Sequence, residues 1–414
     1  MTRQKALLLQ EKHGPFAVAE KDIPRPGPGE ILVKVEAAGL NPVDWKIQKY
    51  DILVDSYPVV LGGDIAGTVV EVGEGVTEFN EGDTMCVRGG FQHYAIVVAE
   101  IAAKVPSRIS LEEAASVPLA FVTAAFGLYG SGREGETSRT GLAAPWQEGG
   151  QGKYEGKPIL VLGGASSVGQ YVIQLAKLSG FSPIITTASP HSENLFKSLG
   201  ATHVIDRRAP SEQLQATIFP MLSSPLLHVY DAISLWETQR IGYDMLAPGG
   251  SIIVVLDRAI QIDEHSDKRF VRVVGNAHDL SQRNDARAIF SHLPVLLECG
   301  DIRPNPIEVL PDGLRGVIRG LQRLEESAGS SLLLVRRILT ELHLSGSAST
   351  GHRIQCCATC AVSMDVENRM KTLTMFVVSC SCSMSGFRTM ARQTFRISPC
   401  HREVSTSTRV STRF

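Results

Sequence analysis

Cysteine is nearly missing from most of this chain. Of the eight in its 414 residues, only Cys86 and Cys299 precede residue 346. Two scattered thiols exclude a disulfide framework over that stretch and suit a reducing, intracellular setting. A charge of one sign is missing as well: 41 Lys and Arg stand against 43 Asp and Glu, for a formal net charge of -2. That balance gives no electrostatic footprint for nucleic acid and none for a membrane surface. No apolar run reaches the ~18–20 residues that span a bilayer. Residues Met1 to Glu11 lack the apolar core of a signal peptide. The cytoplasm is the expected location. What is present is ordinary for a globular protein, 43% hydrophobic and 20% charged, in a chain long enough for two domains.

The first part reads as short strands joined by tight turns. Ile31-Leu32-Val33-Lys34-Val35 follows the Pro/Gly cluster 24–29, Thr68 to Val72 forms a second apolar run, and Glu81-Gly82-Asp83 turns into Thr84 to Val87. Many short strands with Gly-rich turns predict a small barrel-like domain. Ser110 and Glu113 make a capping box for a helix that begins at Leu111. Residues 131–156, rich in Gly, Ser, Thr and charge, read as an exposed loop between domains.

The texture then changes. Pro158 to Leu162 is a continuous apolar run, as in a strand buried on both faces of a parallel sheet. A Gly/Ser turn follows, then a helix with Val168, Val172, Leu175 and Ala176 on one face. Further strands are expected at Pro183 to Thr187, His203 to Ile205, Leu226 to Asp231 and Ser251 to Leu256, with a short helix from Leu195 to Leu199. This alternation predicts a doubly wound α/β domain. Beyond it come a helix from Ala286 to Leu297, kinked or broken near Pro294, a strand from Ile307 to Leu310 and a helix from Leu314 to Leu324.

Gly163-Gly164-Ala165-Ser166-Ser167-Val168-Gly169 lies between the buried strand and its helix, the context that a dinucleotide fingerprint requires. Gly164 is read as the tight turn and Gly169 as the close contact of helix and sheet. Ser166 stands where the usual pattern has its middle glycine, and the helix N-terminus offers N–H groups to a diphosphate. The second strand runs out through Thr186-Thr187-Ala188-Ser189-Pro190-His191-Ser192, with no acid before Glu193. A carboxylate there binds the ribose hydroxyl of NAD and repels the 2′-phosphate of NADPH. Hydroxyls and an imidazole suit that phosphate, and Arg207 and Arg208 add positive charge. NADPH is the expected cofactor.

The segments Gly39-Leu40-Asn41-Pro42-Val43-Asp44-Trp45-Lys46 and Pro58 to Gly67 join the glycine turn and Ser189-Pro190-His191 in a resemblance. From about residue 5 to 325 the chain resembles the medium-chain dehydrogenase/reductase superfamily, and within it the fungal enoyl reductases that act in trans on polyketide synthases. The resemblance implies an α/β architecture: a GroES-like β-rich catalytic domain plus a Rossmann doubly wound parallel sheet. The implied limits are 1–128 for the catalytic domain, 129–283 for the NADPH-binding Rossmann domain and 284–335 for a return segment that completes the catalytic domain. Zinc-dependent members carry a Cys just after the first Gly and a His in a Gly-His-Glu motif. Asn41 and Gly63 stand at those places and the four-Cys zinc lobe is absent, so no metal is expected.

By the same resemblance Val43, Asp44, Trp45 and Lys46 contact the nicotinamide end of NADPH. Gly164, Ala165, Ser166, Ser167, Val168 and Gly169, with Ser189, Pro190, His191 and Ser192, hold its phosphates. Arg207, Met245 and Leu246 complete the cofactor contacts. Lys46, Asp44 and Thr123 are the candidate catalytic residues; Ala124, Ala125, Gly275 and Asn276 are the candidate substrate contacts. The implied reaction is hydride transfer to the β-carbon of an α,β-unsaturated carbonyl or thioester, with Lys46 stabilising or protonating the enolate. Plainer readings stay open: Lys46 as a surface lysine, Asp44 as a turn residue, Thr123 bonded to its own helix, Met245 and Leu246 as core. The implied substrate is a small molecule or an acyl thioester, and the implied partner a polyketide synthase. Two other functions stay open as well: an NADPH-dependent quinone or small-enone reductase, and an inactive cofactor-binding or interaction protein with an aberrant C-terminus.

Residues 336–414 break the pattern. They hold Cys356, Cys357, Cys360, Cys380, Cys382 and Cys400 among many Ser and Thr, with no sustained period of 2 or 3.6. Cys380 and Cys382 stand too close for a zinc knuckle. A disordered tail is expected, of the kind that a translated intron or a shifted reading frame leaves. Just before it, Leu332-Leu333-Leu334-Val335 stands in for the strand that closes the domain in the family.

Overall fold

The computed structural model describes residues 2–87, 90–132, 139–263, 265–326 and 333–338. Strands β1 (Arg3–Leu9) and β2 (Phe16–Asp22) form an antiparallel pair. Next come β3 (Glu30–Gly39), helix α1 (Pro42–Tyr50), β4 (Val59–Val60), β5 (Asp64–Val72), β6 (Thr84–Val87), β7 (Tyr94–Val98) and β8 (Ala103–Lys104). β3 is the hub of this region: it pairs antiparallel with both β5 and β7 and is buried along most of its length. β4 joins β1 instead, giving a separate sheet of order β2-β1-β4. Leu7, Leu9, Ile31, Val33, Ile65 and Phe91, all fully buried, fill the space between.

The expected capping box starts α2 (Leu111–Ala114): Ser110 Oγ accepts the Glu113 amide at 3.2 Å, and Glu113 Oε2 accepts the Ser110 amide at 2.9 Å. Then follows α3 (Pro118–Tyr129), buried at ten of its 12 positions. The stretch Leu111–Tyr129 is 19 residues long and apolar enough to cross a bilayer by length and composition, yet most of it lies inside this fold as a core helix.

The second region alternates β9 (Ile159–Leu162), α4 (Ser167–Leu178), β10 (Ile184–Ala188), α5 (Glu193–Leu199), β11 (His203–Asp206), α6 (Ser211–Ile218), β12 (His228–Asp231), α7 (Trp236–Met245), β13 (Ser251–Val254) and β14 (Arg269–Arg272). All six strands are parallel, in the order β11-β10-β9-β12-β13-β14. That is the doubly wound order, and it places a crevice at the C-terminal ends of β9 and β12, where the winding reverses. Helix α6 has a narrow apolar stripe, Leu214 and Ile218, and shows no strong periodicity in the sequence.

Helix α8 (Arg283–Cys299) runs without a break through Pro294. The expected break does not occur, because the face made by Ala286, Ile289, Phe290, Leu293 and Leu297 is buried along the whole helix. That burial outweighs the ~3 kcal/mol cost of an interior proline. The chain then returns through β15 (Ile307–Leu310), α9 (Gly313–Glu326) and β16 (Leu333–Arg337). β16 lies parallel to β15 and antiparallel to β3, so the larger sheet of the first region runs β15-β16-β3-β5-β6-β8.

The stretch 131–156 is less exposed than expected over its described part. Trp146 packs edge-on to Tyr129 and stacks on His292, and Leu142 and Ala144 are buried. These apolar anchors sit among glycines that hide them in a composition count. The expected structureless tail, residues 336–338 apart, lies outside the described residues.

Candidate active site

Seven consecutive residues shape the turn after β9. Gly163 carries the positive φ, +80°, and its amide donates to Thr187 Oγ1 at 3.0 Å. The tight turn therefore belongs to Gly163. Gly164 is needed for closeness, since a Cβ there would overlap Thr186 Oγ1. A Cβ on Gly169 would overlap the Gly163 carbonyl, so this glycine seats α4 against the turn. Ser166 does more than stay small: it is the N-cap of α4, and its Oγ accepts the Gly169 amide at 3.0 Å. The amides of Ser167 and Val168, in the first turn of the helix, have no intrahelical acceptor and stand beside half-buried Ala165. A cradle that a Cβ would fill, ending in open amides, fits the diphosphate of a dinucleotide.

The flank after β10 is open. Ser189 and Ser192 are half-buried, and Pro190 and His191 are exposed. Arg207 is tied to this flank by its backbone, whose amide donates to Ala188 O at 3.0 Å, and its side chain is exposed. Arg208 is committed elsewhere: its Nη2 lies 2.8 Å from Asp206 Oδ2. Met245 and Leu246 do not join the flank. They close α7 at 2% and 4% exposure, and the next amide, Ala247, donates to Leu226 O at 2.9 Å. Leu226 precedes β12, so the pair sits at the N-terminal edge of the sheet, opposite the glycine turn, and packs into the core with Leu160 and Ile252.

Helix α1 carries the other candidates. Val43, Trp45 and Lys46 are half-buried, and Lys46 Nζ lies 5.7 Å from the Trp45 ring centroid. Burial draws the Lys46 ammonium below the ordinary lysine value. Asp44 is buried, and its Oδ2 accepts the Asn41 amide at 2.8 Å, so it closes the N-terminus of α1. Thr123 Oγ1 donates to Leu119 O at 2.7 Å, and its carbonyl accepts from Tyr230 Oη at 2.9 Å, which keys α3 to β12. Gly275 is brought directly onto Thr123, where a Cβ would overlap Oγ1. Asn276 turns the chain there, its Oδ1 accepting the His278 amide at 3.2 Å. Ala124 and Ala125 expose no surface and belong to the core with Tyr171 and Tyr230. One turn further along α3, a shallow surface crevice is bordered by Phe126, Gly127, Gly130, Val274 and Gln282.

Part of the site was not read from the sequence. Asp231, fully buried at the end of β12, accepts the amides of Ile233 and Ser234 at 3.0 and 2.8 Å. Ser234 has φ +62°, and its hydroxyl bridges Asp231 O and the Val255 amide. This strapped turn presses Ile233 against Gly163, where a Cβ would overlap it. A serine at positive φ carries no mark in a sequence.

An alcohol dehydrogenase GroES-like domain model matches residues 27–107, and a zinc-binding dehydrogenase model matches residues 167–256. The trans-enoyl reductase himH of Aspergillus japonicus is 32% identical over 324 residues, covering 74% of this chain and 89% of that protein. The chain belongs to the medium-chain dehydrogenase/reductase superfamily. Dehydrogenase azaJ of Aspergillus niger is 38% identical over 220 residues, 50% of this chain and 61% of azaJ, so the chain spans less than two thirds of that relative. Among solved structures, an alcohol dehydrogenase superfamily protein from Novosphingobium aromaticivorans is 23% identical with a TM-score of 0.67, covering 81% of this chain and 100% of its own. A mycobacterial protein complexed with NADPH is 23% identical with a TM-score of 0.65, covering 81% of this chain and 99% of its own. At such identities these two speak for the fold.

Within this superfamily the two places of interest for a metal hold Asn41, whose Nδ2 donates to Asp64 Oδ2 at 2.8 Å, and Gly63. The neighbouring Cys86 is fully buried, and burial with the nearby Asp64 pushes its thiol up to about 12. Among the described residues no three His, Cys, Asp or Glu side chains gather as a metal site.

Proposed function

We propose that the protein is a zinc-independent, NADPH-dependent enoyl reductase of the cytoplasm, acting in trans on acyl thioesters carried by a polyketide synthase. The observation that carries this reading is Lys46. It is a half-buried ammonium, eased below the ordinary lysine value, on the helix that the resemblance sets beside the nicotinamide. The trans-enoyl reductase himH supports the substrate class.

The chain's residues divide the work. The Ser167 and Val168 amides hold the diphosphate, and the half-buried Ser189 and Ser192 with Arg207 and His191 receive the 2′-phosphate. The bound nicotinamide supplies a hydride to the substrate's β-carbon. Lys46 meets the negative charge that then develops on the carbonyl oxygen and delivers one proton to the α-carbon, so that the double bond gains one hydride and one proton. Its lowered affinity for the proton eases that step, and its exposed side lets water restore the proton. Thr123 and Gly275 floor the site.

The test is NADPH consumption by the full chain with crotonyl thioester and with a simple quinone, each with and without a metal chelator. Thioester reduction that ignores the chelator is expected. Turnover of the quinone alone, or loss of activity with the chelator, contradicts the proposal.

A further inference from the structure

Helix α3 begins without a cap of its own. Val117 sits at the N-cap and offers no side-chain acceptor, and Pro118 has no N–H. The first amide that needs a partner is that of Leu119, and a distant residue meets it: Asp64 Oδ1 accepts it at 2.7 Å. The other oxygen of the same carboxylate accepts from Asn41 Nδ2 at 2.8 Å. Asn41 is in turn the N-cap residue of α1. Asp64 is 0% exposed and Asn41 3%, so water competes for neither bond. Gly63 keeps the space open, since a Cβ there would come within 3.3 Å of the Leu119 side chain and 3.4 Å of the Asn41 amide.

We propose that Asp64 is a positioning residue, a buried carboxylate that locks the start of α1 to the start of α3 and so fixes the spacing of Lys46 and Thr123 across the reaction site. Two donors from two helices need two acceptors. A carboxylate supplies both, whereas an amide supplies one acceptor and one donor. Negative charge at the first turn of α3 also opposes the positive end of its dipole. Both working side chains stand close to the lock. Thr123 is hydrogen-bonded to Leu119 itself, and Lys46 is ~1.5 turns along α1 from Asn41. The catalytic consequence rests on the enoyl-reductase reading; the lock does not.

The test uses three full-length variants. Asp64→Val removes the lock. Asp64→Asn leaves one donor facing another. Asp64→Asn combined with Asn41→Asp re-forms the lock reversed: the amide at position 64 still accepts from Leu119 and now donates to a carboxylate at position 41. Two readouts are taken. One is kcat against NADPH affinity with crotonyl thioester. The other is the pH profile of Lys46 acylation by acetic anhydride, followed by peptide mass spectrometry with exposed Lys153 as reference.

Asp64→Val is expected to lower kcat ~100-fold, the scale of a misplacement of about 1 Å, while NADPH affinity stays within about 3-fold. The Lys46 profile is expected to move up toward that of an ordinary lysine. The double variant is expected to recover most of kcat and the original profile. Wild-type kcat and an unmoved Lys46 profile in Asp64→Val overturn the proposal, as does a folded double variant no better than Asp64→Asn. If Asp64→Val does not fold, the last comparison decides. If the wild-type protein reduces no thioester, the function proposed above fails, and the Lys46 profile still decides the lock.

Discussion

The glycine turn takes its shape from seven consecutive residues, Gly163 to Gly169, while the lock at Asp64 draws on Asn41, Asp64 and Leu119 from three separate elements. The turn works by missing atoms: side chains are absent where backbone and Thr186 must approach. The lock works by matched atoms, two donors on two acceptors. One is therefore broken by adding bulk and the other by removing polarity. On the proposed function, the same contrast would separate a local cradle for the cofactor from a catalytic face that needs α1 and α3 aligned.

The largest effect expected from this contrast is in the turn. Gly164→Val puts ~1–3 kcal/mol of overpacking onto the cradle itself. NADPH affinity, followed by fluorescence titration, should fall about 100-fold; unchanged affinity would place the cofactor elsewhere. Lys46→Ala probes the other half. Its kcat should fall ~100-fold, the scale of lost general-acid catalysis, with NADPH affinity nearly unchanged. A fall in affinity with intact kcat would make Lys46 a cofactor contact instead. Arg207→Ala should weaken NADPH about 10-fold and leave NADH alone, as expected for one charge-assisted contact to the 2′-phosphate. Equal loss for both cofactors would show that the arginine only supports the fold.

The smallest net effect is set by the two ends of β12. Burial pushes the Asp231 carboxyl up to about 6, and burial with the nearby Arg269 pushes the His228 imidazole down to about 4. The folded value of Asp231 lies above the unfolded ~3.9, so its contribution is complete below that pH and is lost as pH rises through about 6. The folded value of His228 lies below the unfolded ~6.5, so its contribution is complete above that pH and is lost as pH falls through about 4. Between those values the two slopes oppose and largely cancel. Relative to wild type, urea denaturation should show Asp231→Asn gaining stability as pH rises from ~4 to ~6, and His228→Gln losing it. Parallel curves for all three proteins would contradict both burial effects.

What could be read in advance follows from the same contrast. The parallel strands, the glycine turn and the capping box at Ser110 are local patterns, and they are visible as such. The turn's inner assignment was still off by one residue, because φ +80° at Gly163 and closeness at Gly164 look alike in a run of glycines. Met245 and Leu246 were carried over by likeness of sequence, while the register of β12 and β13 sets them at the wrong edge of the sheet. Asp64 lies within the segment Pro58 to Gly67, where the sequence pattern gives it no role. A signal for it does exist: Val117-Pro118 opens an apolar helix with a residue that cannot cap, so an acceptor has to come from elsewhere. Nothing in the sequence says from where, since that depends on β3 and β5 being paired at Gly39 and Asp64.

The most direct measurement is reduction of crotonyl thioester by the full chain with NADPH carrying deuterium at the transferable position, in the presence of a chelator, with the product read by NMR. The account predicts deuterium at the β-carbon and a solvent-derived proton at the α-carbon, formed ~100-fold more slowly by Lys46→Ala. Deuterium at any other carbon, or no saturated thioester at all, would contradict it.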